Sequence, residues 1–490
     1  MKKMKKIRFL SLVLCLLMSL TLVTACASDK TDNSDSVKDS SAPDSLQTEP
    51  ETKSPYDDKG YLLDSLPDDL KFDGKTFNLF TWSNQTMWEW DADTYSGELL
   101  KDAIYERKQF VESRMGIKLV ITSQAGEWDN RASVIQTVAA NVNAGAHSYD
   151  LIGQYTPAAA IGAMQSLYVD LRDVEYLDLS KPWWPGDITE SSSINGRLYF
   201  TTGDITPTLI RNMGTVMANL DMINDYNLGD VYALVDNGEW TLDKLSEIAL
   251  GVVGDQSNAD QKYAVTIANN VTFDNLFYAG GFKYVESNSD GTLKLSESIQ
   301  GEKMVNWYKK CQSFLNDNSD VALLAINNAF TSGSSIFHMG QISDVQNYLK
   351  DVSMNFAILP YPKYSVEQEN YYTIVGYWVS MYSIPTDAPD FAMSGAVLEA
   401  LGSAAYRSMT PAFYKEAFQY RFLDTEVNAR MFDLLHDTLV YDTGRTFCDQ
   451  IDIFAVFRKA ATAGTDWSST LASSKTLWSK KITAIYDKLG

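Results

Sequence analysis

Lys75-Thr-Phe-Asn-Leu-Phe-Thr-Trp82, the run from Leu100 to Val111, and Ile117-Lys-Leu-Val-Ile-Thr122 together decide the fold. Aromatic and β-branched content makes the first and last pieces strands. Between them Leu100, Ala103, Ile104 and Val111 recur at helical spacing. That spacing predicts a helix from about Gly97 to Met115, stopped at Gly116. Strand, helix and strand with short joints form a βαβ unit, which sets the two strands parallel in one sheet. The pattern repeats, with a helix over Arg131 to Asn143, a strand at Tyr149-Asp-Leu-Ile-Gly153 and an Ala-rich helix from Pro157 to Leu167. The class is therefore α/β. In open α/β sheets ligands sit beyond the carboxyl ends of the strands. Those ends are Thr81-Trp82-Ser83-Asn84 and Gln154-Tyr155-Thr156.

Further on, Gly196-Arg-Leu-Tyr-Phe-Thr-Thr-Gly-Asp204 and Met213-Gly-Thr-Val-Met-Ala-Asn-Leu220 read as two strands separated by an irregular stretch, a crossing between lobes. A helix is expected from Asp221. Another follows Glu239-Trp240, with Thr241 as N-cap and Asp243 in its first turn.

The amino terminus has a different character. Lys2, Lys3, Lys5, Lys6 and Arg8 precede an apolar run from Phe9 to Val23. A basic start, a short apolar stretch and small residues make a secretory signal. The run is shorter than the roughly 20 residues a membrane-spanning helix needs. Leu22-Val23-Thr24-Ala25-Cys26 resembles a bacterial lipobox, which implies cleavage before Cys26 and a lipid on its thiol. The chain would then work outside the cytoplasm, tethered to the outer face of the cell membrane. That excludes cytoplasmic enzymes, nucleotide-driven motors and transcription factors. The 490-residue chain carries a net charge of −22, and loss of residues 1–25 makes it more acidic still. Such a body has no electrostatic affinity for nucleic acid or an anionic bilayer. Residues 27 to about 58, rich in Ser, Asp, Thr, Lys and Pro, lack the apolar side chains that offset ordering entropy. They read as a disordered tether.

Cys15 leaves with the signal, and Cys311 and Cys448 remain either as one disulfide or as two buried thiols. No CxxC occurs, and His147, His338 and His436 are widely separated, so neither zinc nor another cofactor is expected. Glu286-Ser-Asn288-Ser-Asp290-Gly291, with Glu297 beyond, nearly spells a calcium loop. Glu286 stands where Asp is wanted, Lys294 interrupts the set, and Thr292-Leu-Lys-Leu295 alternates like a strand. A hairpin turn is the reading favoured. Asp91 and Asp93, near Glu89 and Trp90, are the carboxylates that a glycoside-cleaving site would recruit. GxSxG, HExxH and Walker motifs are absent from the chain.

In order, the lipobox, the early βαβ with Gly97-Glu98, Tyr149-Asp-Leu-Ile, Gly196-Arg-Leu-Tyr, Met217-Ala-Asn-Leu and Glu239-Trp240-Thr241 resemble the family 1 extracellular solute-binding proteins. So do Phe356-Ala-Ile-Leu-Pro-Tyr-Pro362, Gly376-Tyr-Trp-Val-Ser-Met-Tyr-Ser-Ile-Pro385 and the closing Lys481-Ile-Thr-Ala-Ile-Tyr-Asp. These are the maltose-binding-protein-like receptors of ABC sugar importers. Met217-Ala-Asn219 departs from the family's commoner aromatic pattern. The resemblance implies a two-lobed periplasmic-binding-protein-like fold of type II, with discontinuous lobes joined by crossover strands around a cleft. The implied divisions are signal 1–25, lipidated tether 26–58, first lobe 59–205, second lobe 206–356, a return to the first lobe over 357–405, and a helical part of the second over 406–490. The implied function is non-catalytic capture of a carbohydrate, an oligosaccharide by expectation, and delivery to ABC permease subunits by a monomer. The ligand residues expected are Trp82, Asn84, Tyr155, Asp204, His338, Gln341, Tyr377 and Trp378. Trp183 and Trp184 are expected to plug a helix interface. A surface glycoside-active enzyme, or the same fold binding a peptide or another small solute, stands as the alternative.

Overall fold

The computed structural model describes residues 54–254, 261–268, 272–419 and 426–490. Cys26, the signal segment and nearly all of the expected tether lie outside the described residues. The unit from Pro55 to Gly490 is described below.

The opening βαβ is present. Strand β1 (Lys75–Trp82) pairs in parallel with β2 (Ile117–Gln124) and with β3 (Leu151–Tyr155). The intervening helices are Leu99–Met115 and Arg131–Asn143. Gly116, at φ 64°, ends the first in the left-handed conformation that glycine adopts without strain. Alternate residues of β1 serve two faces. Phe77 and Leu79 enter a core with Val111, Leu119, Leu151, Trp183, Trp184 and helix Phe391–Arg407, whereas Phe80 and Trp82 face the opposite side. Trp183 and Trp184 pack on that helix. A Cβ placed on Gly402 would lie 2.8 Å from each indole, and Trp184 Nε1 donates to Glu399.

The second sheet takes β4 (Gly214–Asn219), β5 (Tyr263–Ile267), β8 (Val321–Leu323), β9 (Ser335–Gln341) and β10 (Phe356–Leu359) in the order β10-β4-β9-β5-β8. Between β5 and β8 a hairpin joins β6 (Val285–Ser287) to β7 (Leu293–Leu295), with Gly291 at φ 83° in its turn. Here the near-calcium motif is a turn. Lys294 pairs with both Glu286 and Glu297, at 3.2 and 2.8 Å.

Two corrections to the reading of the chain concern the crossing. The stretch from Gly196 to Asp204 forms isolated bridges, Ile194 with Arg197 and Thr201 with Tyr382, rather than a strand. Segment Phe356–Leu359, expected at the return to the first lobe, pairs antiparallel with β4 in the second sheet. All four of its residues are buried, so it needs cover on both faces. The chain rejoins the first sheet only at β12 (Ser380–Ser383), antiparallel to β3, after the short strand β11 (Thr373–Ile374). Outgoing and returning segments run side by side. Met213 bridges Val375, and Gly376 N donates to Asn212 C=O at 2.7 Å.

Helix Leu242–Ala249 begins as expected, Thr241 Oγ1 accepting from Lys244 N. Cys311 and Cys448 are two buried free thiols. Burial pushes the Cys448 thiol up to about 12. No described helix is long and apolar enough to cross a membrane.

Candidate functional site

At the carboxyl ends of β1 and β3 the rings of Trp82 and Tyr155 lie 5.2 Å apart. Trp378, from the returning segment, completes the group at 5.7 Å from Trp82 and 6.3 Å from Tyr155. Strand pairing brings Trp82 beside Tyr155, and the antiparallel return at β12 delivers Trp378. Trp82 and Tyr155 are buried, and Trp82 Nε1 donates to Ser380 Oγ at 2.7 Å. Trp378 is 40% exposed and forms the open face of the cluster. Burial raises the Tyr155 phenol, so it stays protonated at neutral pH.

Asn84 acts one step behind these rings. Its Oδ1 accepts from Gly126 N at 3.0 Å and draws the loop after β2 onto Trp82. A Cβ on Gly126 would stand 2.9 Å from the Trp82 Cβ, so only glycine admits that approach. The loop presents Trp128, which stacks on Phe454 with centroids 4.1 Å apart. The Arg131 guanidinium covers Trp128 at 4.0 Å and pairs with Asp449 at 2.5 Å. On the other flank Arg211 lies 3.5 Å over the Trp88 ring and donates to Gln346 of the second lobe. Gln341 caps the helix after β9, and its Oε1 lies against Gly376, where an added Cβ would come within 2.9 Å. Asn212, Gln341 and the Gly376–Trp378 segment therefore meet where the lobes join.

Three expected ligand residues are placed elsewhere or turned inward. His338 is not at a strand end, because β9 continues to Gln341. It is 1% exposed, and its Nδ1 is 2.8 Å from Thr266 Oγ1. Asp204 lies away from the rings and accepts from Thr410 Oγ1 at 2.5 Å. Burial raises its carboxyl to about 6, with the Thr410 hydrogen bond opposing. Tyr377 is buried against Phe454 and Arg445. Local sequence patterning does not single out Trp88, Trp128, Arg131, Arg211, Asp449 or Phe454. The strand-end rule reaches Trp128 once it is applied to β2 as well as to β1 and β3.

Burial pulls the His338 imidazole down to about 3. The folded protein then holds the ring neutral where the unfolded chain, near 6.5, protonates it. The unfolded state binds the extra proton, so His338 makes stability rise with pH between about 3 and 6.5, by roughly 1 kcal/mol per pH unit. His338→Phe should flatten that part of the profile relative to the native chain. Parallel urea midpoints of the two proteins from pH 4 to 7 would refute this assignment.

Asp91 Oδ2 accepts from Thr86 Oγ1 at 2.8 Å, and Asp93 sits 3.5 Å from Lys108 Nζ, so neighbours engage each carboxylate separately. The described residues contain no group of three or more His, Cys, Asp or Glu able to hold a metal.

No protein-family model and no curated protein matches the chain. Solved structures do. An ABC substrate-binding protein of Listeria monocytogenes, in complex with cycloalternan, is 13% identical with a TM-score of 0.55, over 84% of this chain and 99% of that one. The chain has the fold of the ABC-transporter solute-binding proteins. A cyclo/maltodextrin-binding protein complexed with maltotetraose shares this solute-binding fold at 14% identity and a TM-score of 0.56, over 84% of this chain and 98% of that one. So does UgpB from Mycobacterium tuberculosis, in complex with glycerophosphocholine, at 16% identity and a TM-score of 0.56, over 79% and 95% of the two chains. In this chain the Trp82, Tyr155 and Trp378 rings stand where the first sheet meets the segments that join the lobes.

Proposed function

We propose that the protein is an extracytoplasmic solute-binding protein that captures a carbohydrate of oligosaccharide size and hands it to the permease subunits of an ABC transporter. The observation that carries this reading is the half-exposed Trp378 backed by Trp82 and Tyr155 at the strand ends. A pyranose ring offers a flat C–H face to such a surface. One stack that removes about 100 Å² of apolar area contributes roughly 2–3 kcal/mol. Micromolar binding needs about −8 kcal/mol, within reach of two or three stacks and a few polar contacts after the cost of association. Asn212 holds the Trp378 carbonyl; Gln341, Arg211 and Arg131 are further polar groups on the surrounding segments, and Asn84 holds one wall. Two of the proteins of like fold named above are binding proteins, complexed with cycloalternan and maltotetraose, which supports the reading. The separate engagement of Asp91 and Asp93 supports a non-catalytic role. Cys26 is the expected lipid anchor, the chain acts as a single copy, and hinge closure of the lobes around ligand is the working motion.

Thermal unfolding of the chain from residue 27, against oligosaccharides, monosaccharides and short peptides, tests the proposal. A ligand at 100 times its dissociation constant should stabilise by about 2.7 kcal/mol, a rise of a few degrees. A rise with a glycan set and no product by chromatography supports the receptor. A rise with peptides alone overturns the sugar, and glycan cleavage overturns the receptor.

A further inference from the structure

We propose that Arg445 is a positioning residue for the aromatic surface: it clamps Tyr377, and that clamp, acting through a tight turn, holds Trp378 outward toward ligand. The proposal rests on the carbohydrate reading above. Arg445 is 3% exposed and belongs to the short helix Thr443–Thr446. Its guanidinium lies 4.0 Å from the centroid of Tyr377 and 5.4 Å from that of Tyr278. A planar cation held over two aromatic faces is strongly oriented, and lysine has no equivalent plane. Asp274 is buried nearby; burial raises its carboxyl, and the Arg458 and Arg445 cations oppose that rise. Tyr377 also meets Phe454, with ring centroids 5.5 Å apart, so two groups pack on the ring.

The backbone converts this grip into an orientation. Val379 N donates to Tyr377 C=O at 2.8 Å, which closes a three-residue turn with Trp378 at its apex. Asn212 Nδ2 donates to Trp378 C=O at 2.9 Å. With Tyr377 locked inward and the turn closed, the Trp378 side chain leaves the opposite way, onto Trp82 and Tyr155. Arg445 itself need not touch the sugar, because it acts by fixing the residue before Trp378.

A double-mutant cycle tests this. Arg445→Met and Arg445→Lys are made in the native chain and in the Trp378→Ala chain, and calorimetry measures the glycan that gives the largest thermal shift. In the native chain each substitution should weaken binding about tenfold, whereas without Trp378 the same substitution should change it less than about twofold. Equal losses in both backgrounds would overturn the proposal. If the Met variant does not fold, the Lys variant carries the cycle. A readout without ligand accompanies it. The Trp378 fluorescence, taken as the difference between chains with and without Trp378→Phe, should become less open to acrylamide quenching in Arg445→Lys than in the native chain, where the clamp holds the indole outward. Unchanged quenching overturns the clamp whatever the ligand proves to be. Reduced quenching with no carbohydrate binding upholds the clamp and overturns the sugar assignment instead.

Discussion

Replacing Trp378 by alanine is expected to weaken carbohydrate binding by roughly 30- to 150-fold while moving the unfolding midpoint by less than about 2 °C. Both halves follow from its position. At 40% exposure its indole contributes modestly to the core, since Trp82 and Tyr155 already pack on each other behind it. Its outer face is the apolar area that a sugar ring would cover, and losing one stack removes about 2–3 kcal/mol of binding. Calorimetric titration of both chains with the same glycan measures the first half, and a thermal melt measures the second. Unchanged affinity would remove Trp378 from the site. Trp82→Ala should behave differently, because that ring is fully buried and bonded to Ser380. Truncating it should cost stability of about 3–5 kcal/mol, so affinity alone cannot report its role.

The second large effect concerns folding. Arg107→Met is expected to destabilise the chain by about 3–5 kcal/mol, the usual cost of removing one partner from a buried charged network. Arg107 is 1% exposed, donates to Ile205 C=O at 2.6 Å and to Glu89 C=O, and lies 4.2 Å over the Trp90 ring. Burial pulls its guanidinium down to about 10, so it stays charged at neutral pH. The buried Glu89 carboxyl is raised by desolvation, against the pull of its hydrogen bonds and of Arg107. It accepts from Thr206, Thr208 and Tyr382, and so ties the outgoing crossing segment to β12. Without Arg107 two backbone carbonyls lose their donors and Glu89 loses its cation. The urea midpoint measures the loss, and a change below about 1 kcal/mol would show that the network carries little of the fold's stability.

Arg107 also shows how far periodicity reaches. Leu100, Ala103, Ile104 and Val111 announce the buried face of the first long helix, and Arg107 falls on that same stripe. A cation on an apolar stripe is by its spacing alone a sign of a buried network, yet its partners at Ile205 and Glu89 belong to other segments. At the candidate site the boundary is similar. Trp82, Asn84 and Tyr155 could be placed from strand ends alone, because parallel pairing aligns those ends. His338 could not, since its depth depends on Thr266 of the neighbouring strand and on how far β9 runs. Between Tyr377 and Trp378 nothing local distinguishes inside from outside, and Arg445 and Phe454 set that choice from far along the chain.

The sequence by itself determined the βαβ opening, the α/β class, the strand ends that carry aromatics and the hairpin at Gly291. Each of these follows from short-range periodicity, backbone chirality and turn chemistry. Only the tertiary structure decided that Phe356–Leu359 stays in the second sheet, that Trp128 meets Phe454, and that Trp378 rather than Tyr377 faces outward. These depend on pairings between segments remote in the chain, where an apolar or aromatic residue satisfies the local pattern equally well in the core or in the cleft.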